Sequence, residues 1–108
     1  MIIGDHDDGW IKEIKPELYF ESVDYMSVVT TKVGKATVCH YPMMDYDTKY
    51  NVFGHIHNNT TDKYFPYLLQ MENSLNACVE INNYRPVKMR ELIENNKKYR
   101  EFCQRGQL

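Results

Sequence analysis

The sequence VDYMSVVTTKVGKATVCH, residues 23–40, contains the clearest strand signals in the chain. Valine, threonine and tyrosine recur in it, and these residues favour strands because their branched or aromatic side chains pack well on a pleated surface. Gly34-Lys35 interrupts the pattern with a turn signal. We therefore predict a β-hairpin over residues 23–39, whose second strand, Ala36–Cys39, ends directly before His40.

Shorter strand signals lie on both sides of the predicted hairpin. The apolar residues 1–3 stop at Gly4, a pattern typical of a buried strand that ends in a loop. Strands are also predicted at Tyr50–Phe53 and Leu75–Ile81 because of their apolar, β-branched and aromatic residues. A long polar connection, residues 58–66, is expected between them.

Two helices complete the prediction. A short one is expected around Trp10–Ile14, and Pro16 would end it. The last segment is more regular, because its apolar residues recur at spacings of three, four and seven and so share one face of a helix. That face consists of Met89, Leu92, Ile93, Tyr99, Phe102 and Cys103. Strands followed by a helix indicate a chain of the α/β or α+β class.

The composition of the 108 residues is that of one ordinary globular domain, with 43% hydrophobic and 26% charged residues. Its apolar runs are far shorter than the ~20 residues needed to cross a bilayer, and no basic-then-apolar leader opens the sequence. The net charge of −2 lacks the cationic excess typical of nucleic-acid binders. Cys39, Cys78 and Cys103 lack the close spacing of a zinc motif. We therefore expect a cytoplasmic protein with reduced cysteines that does not bind membranes and whose charge does not indicate nucleic-acid binding.

All four histidines are predicted to lie where a strand meets a loop. His6 lies in an acidic loop, His40 follows the second hairpin strand, and His55 and His57 follow the strand Tyr50–Phe53. Strand ends at one edge of a sheet are where α/β proteins gather ligands and catalytic groups. On an extended backbone, His55 and His57 would also point to the same side, because side chains alternate with period two.

Two interpretations of these histidines are open. A single histidine at a loop edge is usually a surface or hydrogen-bonded residue, and one His-x-His pair often occurs by chance. Four histidines at strand ends, one of them between aspartates, form a much less common pattern. Because imidazole is a good ligand for zinc, iron, nickel and manganese, the joint pattern favours a metal site.

Three motifs occur in order along the chain: Gly4-Asp5-His6-Asp7, residues 38–43 (VCHYPM) and Gly54-His55-Ile56-His57. They resemble, in this order, the Gly-Asn-His-Asp/Glu motif, the next histidine motif and the Gly-His-x-His motif of calcineurin-like metallophosphoesterases. Residues 79–87 (VEINNYRPV) and the helix after them are similar to the tail of small bacterial and phage members. The resemblance spans essentially the whole chain.

The resemblance implies a fold and a metal centre. The fold would be the C-terminal part of a four-layer αββα sandwich, with a dinuclear centre at one edge. Asp5, His40 and His55 would bind one ion, and His57 would bind the other. The ions expected are manganese, iron, nickel or zinc, one or two per chain.

It also implies a reaction. Metal-activated water would attack phosphorus in a phosphomonoester or phosphodiester, either a small molecule or a nucleotide. His6 would protonate the leaving oxygen as general acid, and Asp7 would orient His6.

The chain departs from the family pattern in two ways. The family's first two metal motifs, Asp-x-His and Gly-Asp-x-x-Asp, do not precede the third motif, which begins here at Gly4. We therefore expect residues 1–108 to be a single truncated domain. Asp5 stands where the family has asparagine, which adds a negative charge and also makes residues 4–8 a literal match to Gly-Asp-x-x-Asp.

A partial sandwich would expose an apolar sheet face and an unpaired edge strand, and both favour association. We therefore predict a homodimer. An alternative to the enzyme is a catalytically inactive remnant, phage or mobile-element encoded for example, that acts as a binding or regulatory protein. A fragment of a full enzyme is a further alternative.

Overall fold

The computed structural model describes residues 1–106. Within that range the chain forms three α-helices and one mixed four-stranded sheet. The strands are β1 (Met26–Thr31), β2 (Gly34–Cys39), β3 (Tyr50–Phe53) and β4 (Ser74–Asn76). The helices are α1 (Ile11–Ile14), α2 (Phe65–Gln70) and α3 (Met89–Gly106), and single 3-10 turns form at Pro16–Leu18 and Val79–Ile81.

The predicted hairpin is confirmed. β1 and β2 are antiparallel, in a register that pairs Met26 with Cys39 and Thr31 with Gly34. At the turn, Thr31 Oγ1 donates a hydrogen bond of 2.6 Å to the carbonyl oxygen of Gly34. Gly34 has a φ of 139°, which side chains rarely permit, so the turn depends on glycine here. β1 begins at Met26 rather than at the predicted residue 23, and the turn lies at Lys32-Val33 rather than at Gly34-Lys35, which already belong to β2.

The remaining strand pairs are parallel, β2 with β3 and β3 with β4. Parallel neighbours end at the same edge of a sheet, so the residues that follow β2 and β3 are brought close together. The antiparallel β1 begins at this edge, since Met26 pairs with Cys39. Just before β1, Asp24 forms a single parallel bridge with Ile2. The predicted N-terminal strand is therefore only one bridge, but it brings the start of the chain to this edge.

The core is small and consists of two clusters. One joins the sheet to α3, and the other joins β3 and the loop after it to α2. The buried members are Ala36, Tyr50, Leu75 and Leu92 in the first cluster, and Phe53, Ile56, Phe65 and Leu69 in the second.

The C-terminal helix is confirmed as α3, although its buried face is narrower than predicted. Leu92 is buried, whereas the side chain of Phe102 is 71% exposed. The other buried residue of α3 is Asn96, whose side chain bonds to β4. The face of α3 that was predicted to pack through apolar residues alone is therefore also held to the sheet by hydrogen bonds of Asn96.

The segment between β3 and α3 differs most from the prediction. The strand predicted at Leu75–Ile81 is wrong beyond Asn76, because the Asn76 side chain accepts a hydrogen bond from the backbone N–H of Cys78 and the chain then turns. Val79–Ile81 forms a 3-10 turn instead. α2 begins in the predicted connection, where Phe65 and Leu69, four residues apart, bury one side of a helix of only six residues.

The α/β class is therefore confirmed as a mixed sheet with a C-terminal helix, while the αββα sandwich stays a prediction. Within residues 1–106, no strand pairs with the outer edge of β1. None of the helices in this range is long and apolar enough to cross a membrane.

Candidate metal centre

Two of the predicted ligands come from the ends of neighbouring parallel strands. His40 directly follows β2, and His55 is the second residue after β3. The N–H of Gly54 donates a hydrogen bond of 2.9 Å to the carbonyl oxygen of His40, which ties the two strand ends together. Asp5 reaches the same edge because Ile3 N–H bonds to the carbonyl oxygen of Asp24, just before β1.

The side chains of Asp5, His40 and His55 converge at this edge. Nε2 of His40 lies 2.6 Å from Oδ1 of Asp5 and 3.2 Å from Nδ1 of His55. The distance from Nδ1 of His55 to Oδ1 of Asp5 is 3.5 Å. One carboxylate oxygen and two imidazole nitrogens thus form a compact triangle from three distant parts of the sequence.

Gly4 makes room for this triangle. A Cβ atom at position 4 would lie 2.7 Å from Nδ1 of His40, closer than any side chain tolerates. Since the imidazole is itself fixed by Asp5 and His55, it cannot withdraw without leaving the cluster. The glycine of the first motif is therefore explained by close packing of the backbone against the His40 imidazole.

Tyr41 packs against both histidines. Its ring centroid lies 5.0 Å from that of His40, edge to face, and 4.7 Å from that of His55. The loop that carries Tyr41 is held by Asn51, whose side-chain oxygen accepts a hydrogen bond from the N–H of Met43 at 3.2 Å. Asn51 is fully buried in β3, so the sheet fixes one wall of the site.

Asp5 is charged at neutral pH. Burial opposes ionisation of its carboxyl, but the hydrogen bond from His40 and the nearby charges of His6 and His55 outweigh that effect. Together they hold the pKa of Asp5 below its ordinary value. A carboxylate beside two imidazoles is a donor set that first-row divalent metals accept.

His57 does not join the triangle. Its Nδ1 lies 2.7 Å from a carboxylate oxygen of Glu80, in the 3-10 turn after β4. His55 and His57 have φ values of 65° and 52°, so the backbone is left-handed at both positions and the extended geometry expected for His-x-His does not form. The assumption that both rings point to one side is therefore wrong.

Glu80 is a neighbour of the site that was not among the residues predicted from the sequence. Hydrogen bonds from its own backbone N–H and from His57 lower the pKa of Glu80, against the opposing effect of burial. Its second oxygen is buried and has no hydrogen-bond partner among the described residues. The only sequence signal was a carboxylate close to the end of a predicted strand.

The side chains of His6 and Asp7 have different partners. The imidazole of His6 is 92% exposed, with Nε2 3.8 Å from Oδ2 of Asp5. The Asp7 carboxylate accepts hydrogen bonds from the N–H of Gly4 at 2.6 Å and from the indole N–H of Trp10 at 3.1 Å. Asp7 therefore shapes the turn that carries Asp5, and its carboxylate is not bonded to His6.

The donors of the triangle, one carboxylate oxygen and two imidazole nitrogens, are of the types that divalent metals bind. All its ligand atoms lie within 4.8 Å of one another. Ligands at ~2.1 Å from a zinc ion are separated by roughly 3–3.5 Å, close to two of the three distances observed. Exposed acidic groups are common without a metal. The feature that distinguishes this cluster from them is the convergence of two histidines on the same carboxylate oxygen.

No family model matches the chain, and no curated protein or solved structure shows significant similarity to it.

Proposed function

We propose that this chain is a divalent-metal-binding phosphoesterase whose metal is held by Asp5, His40 and His55. The observation that carries the proposal is the convergence of these three side chains from separate segments onto one edge of the sheet. The resemblance of the three motifs to metallophosphoesterases supplies the reaction class. The substrate class is a phosphomonoester or phosphodiester, either a small molecule or a nucleotide.

The chemistry divides between the ion and the protein. A bound divalent cation supplies a nucleophile from water and neutralises charge on the phosphoryl oxygens. His6 is the proposed general acid, since it is exposed beside Asp5 and free to reach a leaving oxygen. Asp7 acts on His6 indirectly, by holding the turn through Gly4 and Trp10.

One ion is assigned to the triangle, and manganese, iron, nickel and zinc are all compatible with its mixed oxygen and nitrogen donors. A second ion would use Nε2 of His57, since Nδ1 is bonded to Glu80. Carboxylates that orient ligand histidines in this way are common around metals in proteins.

A homodimer and a cytoplasmic location belong to the same proposal. The apolar side chains exposed on β1 support association, because an unpaired edge strand favours pairing with another chain. Cys39, Cys78 and Cys103 are free thiols, which is typical of proteins kept in a reducing compartment.

One observation favours a second candidate, a metal-binding protein without turnover that acts in binding or regulation. His6 is 92% exposed, and within residues 1–106 the only carboxylate close to its ring is that of Asp5, at 3.8 Å. General acids are usually held within hydrogen-bond reach of the proton they transfer.

The experiment that separates the two candidates is a pair of hydrolysis assays with added manganese. We expect metal-dependent cleavage of phenyl phosphate that falls ~100-fold or more in His6→Ala, because a general acid contributes about that much. Cleavage of 4-nitrophenyl phosphate, whose leaving group needs no proton, should fall much less. Metal content measured on both proteins is the control. Equal losses on both esters would contradict the role of His6, and no cleavage by the unaltered protein would favour the binding protein.

A further inference from the structure

A cavity of about 340 Å³ opens beside the metal-binding triangle and shares a wall with it. His55 lines this cavity and also belongs to the triangle, through Nδ1. Tyr41, which packs against His55 at 4.7 Å, lines it too. One ligand can therefore place one of its groups in this cavity and another at the triangle.

The rest of the lining is apolar and aromatic. It includes Met43, Met44 and Met71, and Tyr67 on the exposed side of α2. Methionine side chains are flexible and polarisable and make favourable contacts with aromatic rings. Tyrosine rings add flat surfaces on which another ring can stack. Cavities of ~150 Å³ admit a benzene ring, so this one has room for a larger aromatic group.

The hydroxyl of Tyr64, a polar group of the lining, does not favour a charged ligand group inside the cavity, because it is neutral and already hydrogen-bonded. The hydroxyl of Tyr64 donates a hydrogen bond of 3.3 Å to Asp62. Burial, with the charge of Asp62, raises the pKa of Tyr64, so its phenol stays neutral. The nearby charged carboxylate is that of Asp5, which lies outside the lining and contacts His40 and His55.

We propose that this cavity binds an aromatic ring of the ligand whose phosphoryl group is held at the Asp5–His40–His55 triangle. The inference rests on the proposed function and narrows it to phosphate esters that carry an aromatic group. The methionines and tyrosines contact the ring, and the triangle, with its metal, contacts the phosphoryl end.

The test uses phenylphosphonate and methylphosphonate, which hydrolysis cannot destroy and which differ only in the apolar group. Titrations of the zinc-loaded protein should show phenylphosphonate binding at least about tenfold more tightly, equivalent to about 1.4 kcal/mol. With methyl-labelled methionine, NMR should show ring-current shifts at Met43, Met44 and Met71 on adding phenylphosphonate. Met26 in β1 and Met89 in α3 lie outside the lining and should not shift.

A matched pair of tyrosine variants tests the position of the ring. Tyr67 and Tyr19 are 60% and 74% exposed, and only Tyr67 lines the cavity. Tyr67→Ala should reduce the preference for phenylphosphonate about threefold or more, and Tyr19→Ala should leave it unchanged. Equal affinities for the two phosphonates, or unchanged signals of the lining methionines, would overturn the aromatic site and leave the metal site standing. Zinc binding is titrated separately, and its failure would overturn the proposed function and this inference together.

Discussion

Gly4 and His40 make the most demanding contact of the candidate site. The backbone of Gly4 approaches the His40 imidazole so closely that any side chain at position 4 would push the ring away from Asp5. His55 and Tyr41 also contact the ring, so a shift away from Gly4 would disturb these contacts as well. A single methyl group is therefore expected to change the geometry of the site.

The variant Gly4→Ala tests this contact. We expect its zinc affinity to fall about tenfold or more, since a displaced ligand loses at least ~1.4 kcal/mol of binding free energy. Gly9→Ala is the matched control, because a Cβ at position 9 meets nothing within 4 Å. Isothermal titration of both variants with zinc, and circular dichroism to verify folding, provides the measurement. Equal affinities would show that His40 is not a ligand or that Gly4 does not position it.

Tyr99 gives a prediction for alkaline pH. Burial, together with the hydrogen bond and charge of Cys103, raises the pKa of Tyr99 to about 12, from an ordinary value of 10.0. Between these values the unfolded chain loses the phenolic proton first, so the free energy of unfolding decreases as pH rises. Tyr99→Phe removes that loss. Urea unfolding from pH 9 to 11 should show a shallower decrease for the variant, and parallel decreases would contradict the shifted pKa.

At the scale of elements, the buried side chains of Asn96 and Asn76 join α3 to β4 and to the loop after β3 that carries the two histidines. Asn96 of α3 accepts a hydrogen bond from the N–H of Asn76 at 2.7 Å and donates one to its carbonyl oxygen at 3.0 Å. The side chain of Asn76 donates a hydrogen bond of 2.8 Å to the carbonyl oxygen of His57. The helix therefore supports the loop that carries His55 and His57.

Asn96→Ala should destabilise the protein by about 2–3 kcal/mol, because it leaves the buried N–H of Asn76 without a partner. Lys97→Ala is the control from the adjacent position. The Lys97 side chain is exposed, so its removal should change the free energy of unfolding by ~0.5 kcal/mol or less. Urea denaturation of the three proteins measures both differences. Equal losses for the two variants would mean that the buried contacts do not carry the docking of α3.

Periodic elements were predictable from the sequence, and those fixed by single side chains were not. The hairpin and α3 follow from repeated residue types over many positions. The end of β4 depends on one side chain, that of Asn76, and α2 is too short for a period to be recognised. The convergence of His40 and His55 was predictable because parallel strands end together, whereas the left-handed backbone at His57 has no signal in an ordinary residue pattern.

At the scale of the whole molecule, the chain is less compact than is typical for its length. The radius of gyration is 14.6 Å, and a compact domain of this length has one of about 13 Å. Large apolar side chains are exposed along β1 and the segment before it, including Tyr25, Met26, Val28 and Val29. Exposed apolar surface beside an unpaired strand edge is typical of a surface that another chain covers.

We therefore expect a dimer paired through β1. Sedimentation equilibrium at ~10 μM should give the mass of two chains, because both apolar burial and strand pairing favour association. Val28→Lys places a charge on this edge and should give a monomer. Val79→Lys is the control, since Val79 is exposed to a similar extent but lies outside β1. A monomeric unaltered protein at this concentration would contradict the dimer.

The central claim is that Asp5, His40 and His55 form a metal site. The most direct test is the metal content of the purified protein after incubation with manganese or zinc and removal of the free metal, compared with the double variant His40→Ala, His55→Ala. We expect about one tightly held ion per chain in the unaltered protein, and loss of that ion in the double variant. An unaltered protein that retains no ion, or a double variant that retains the same amount, would contradict the claim.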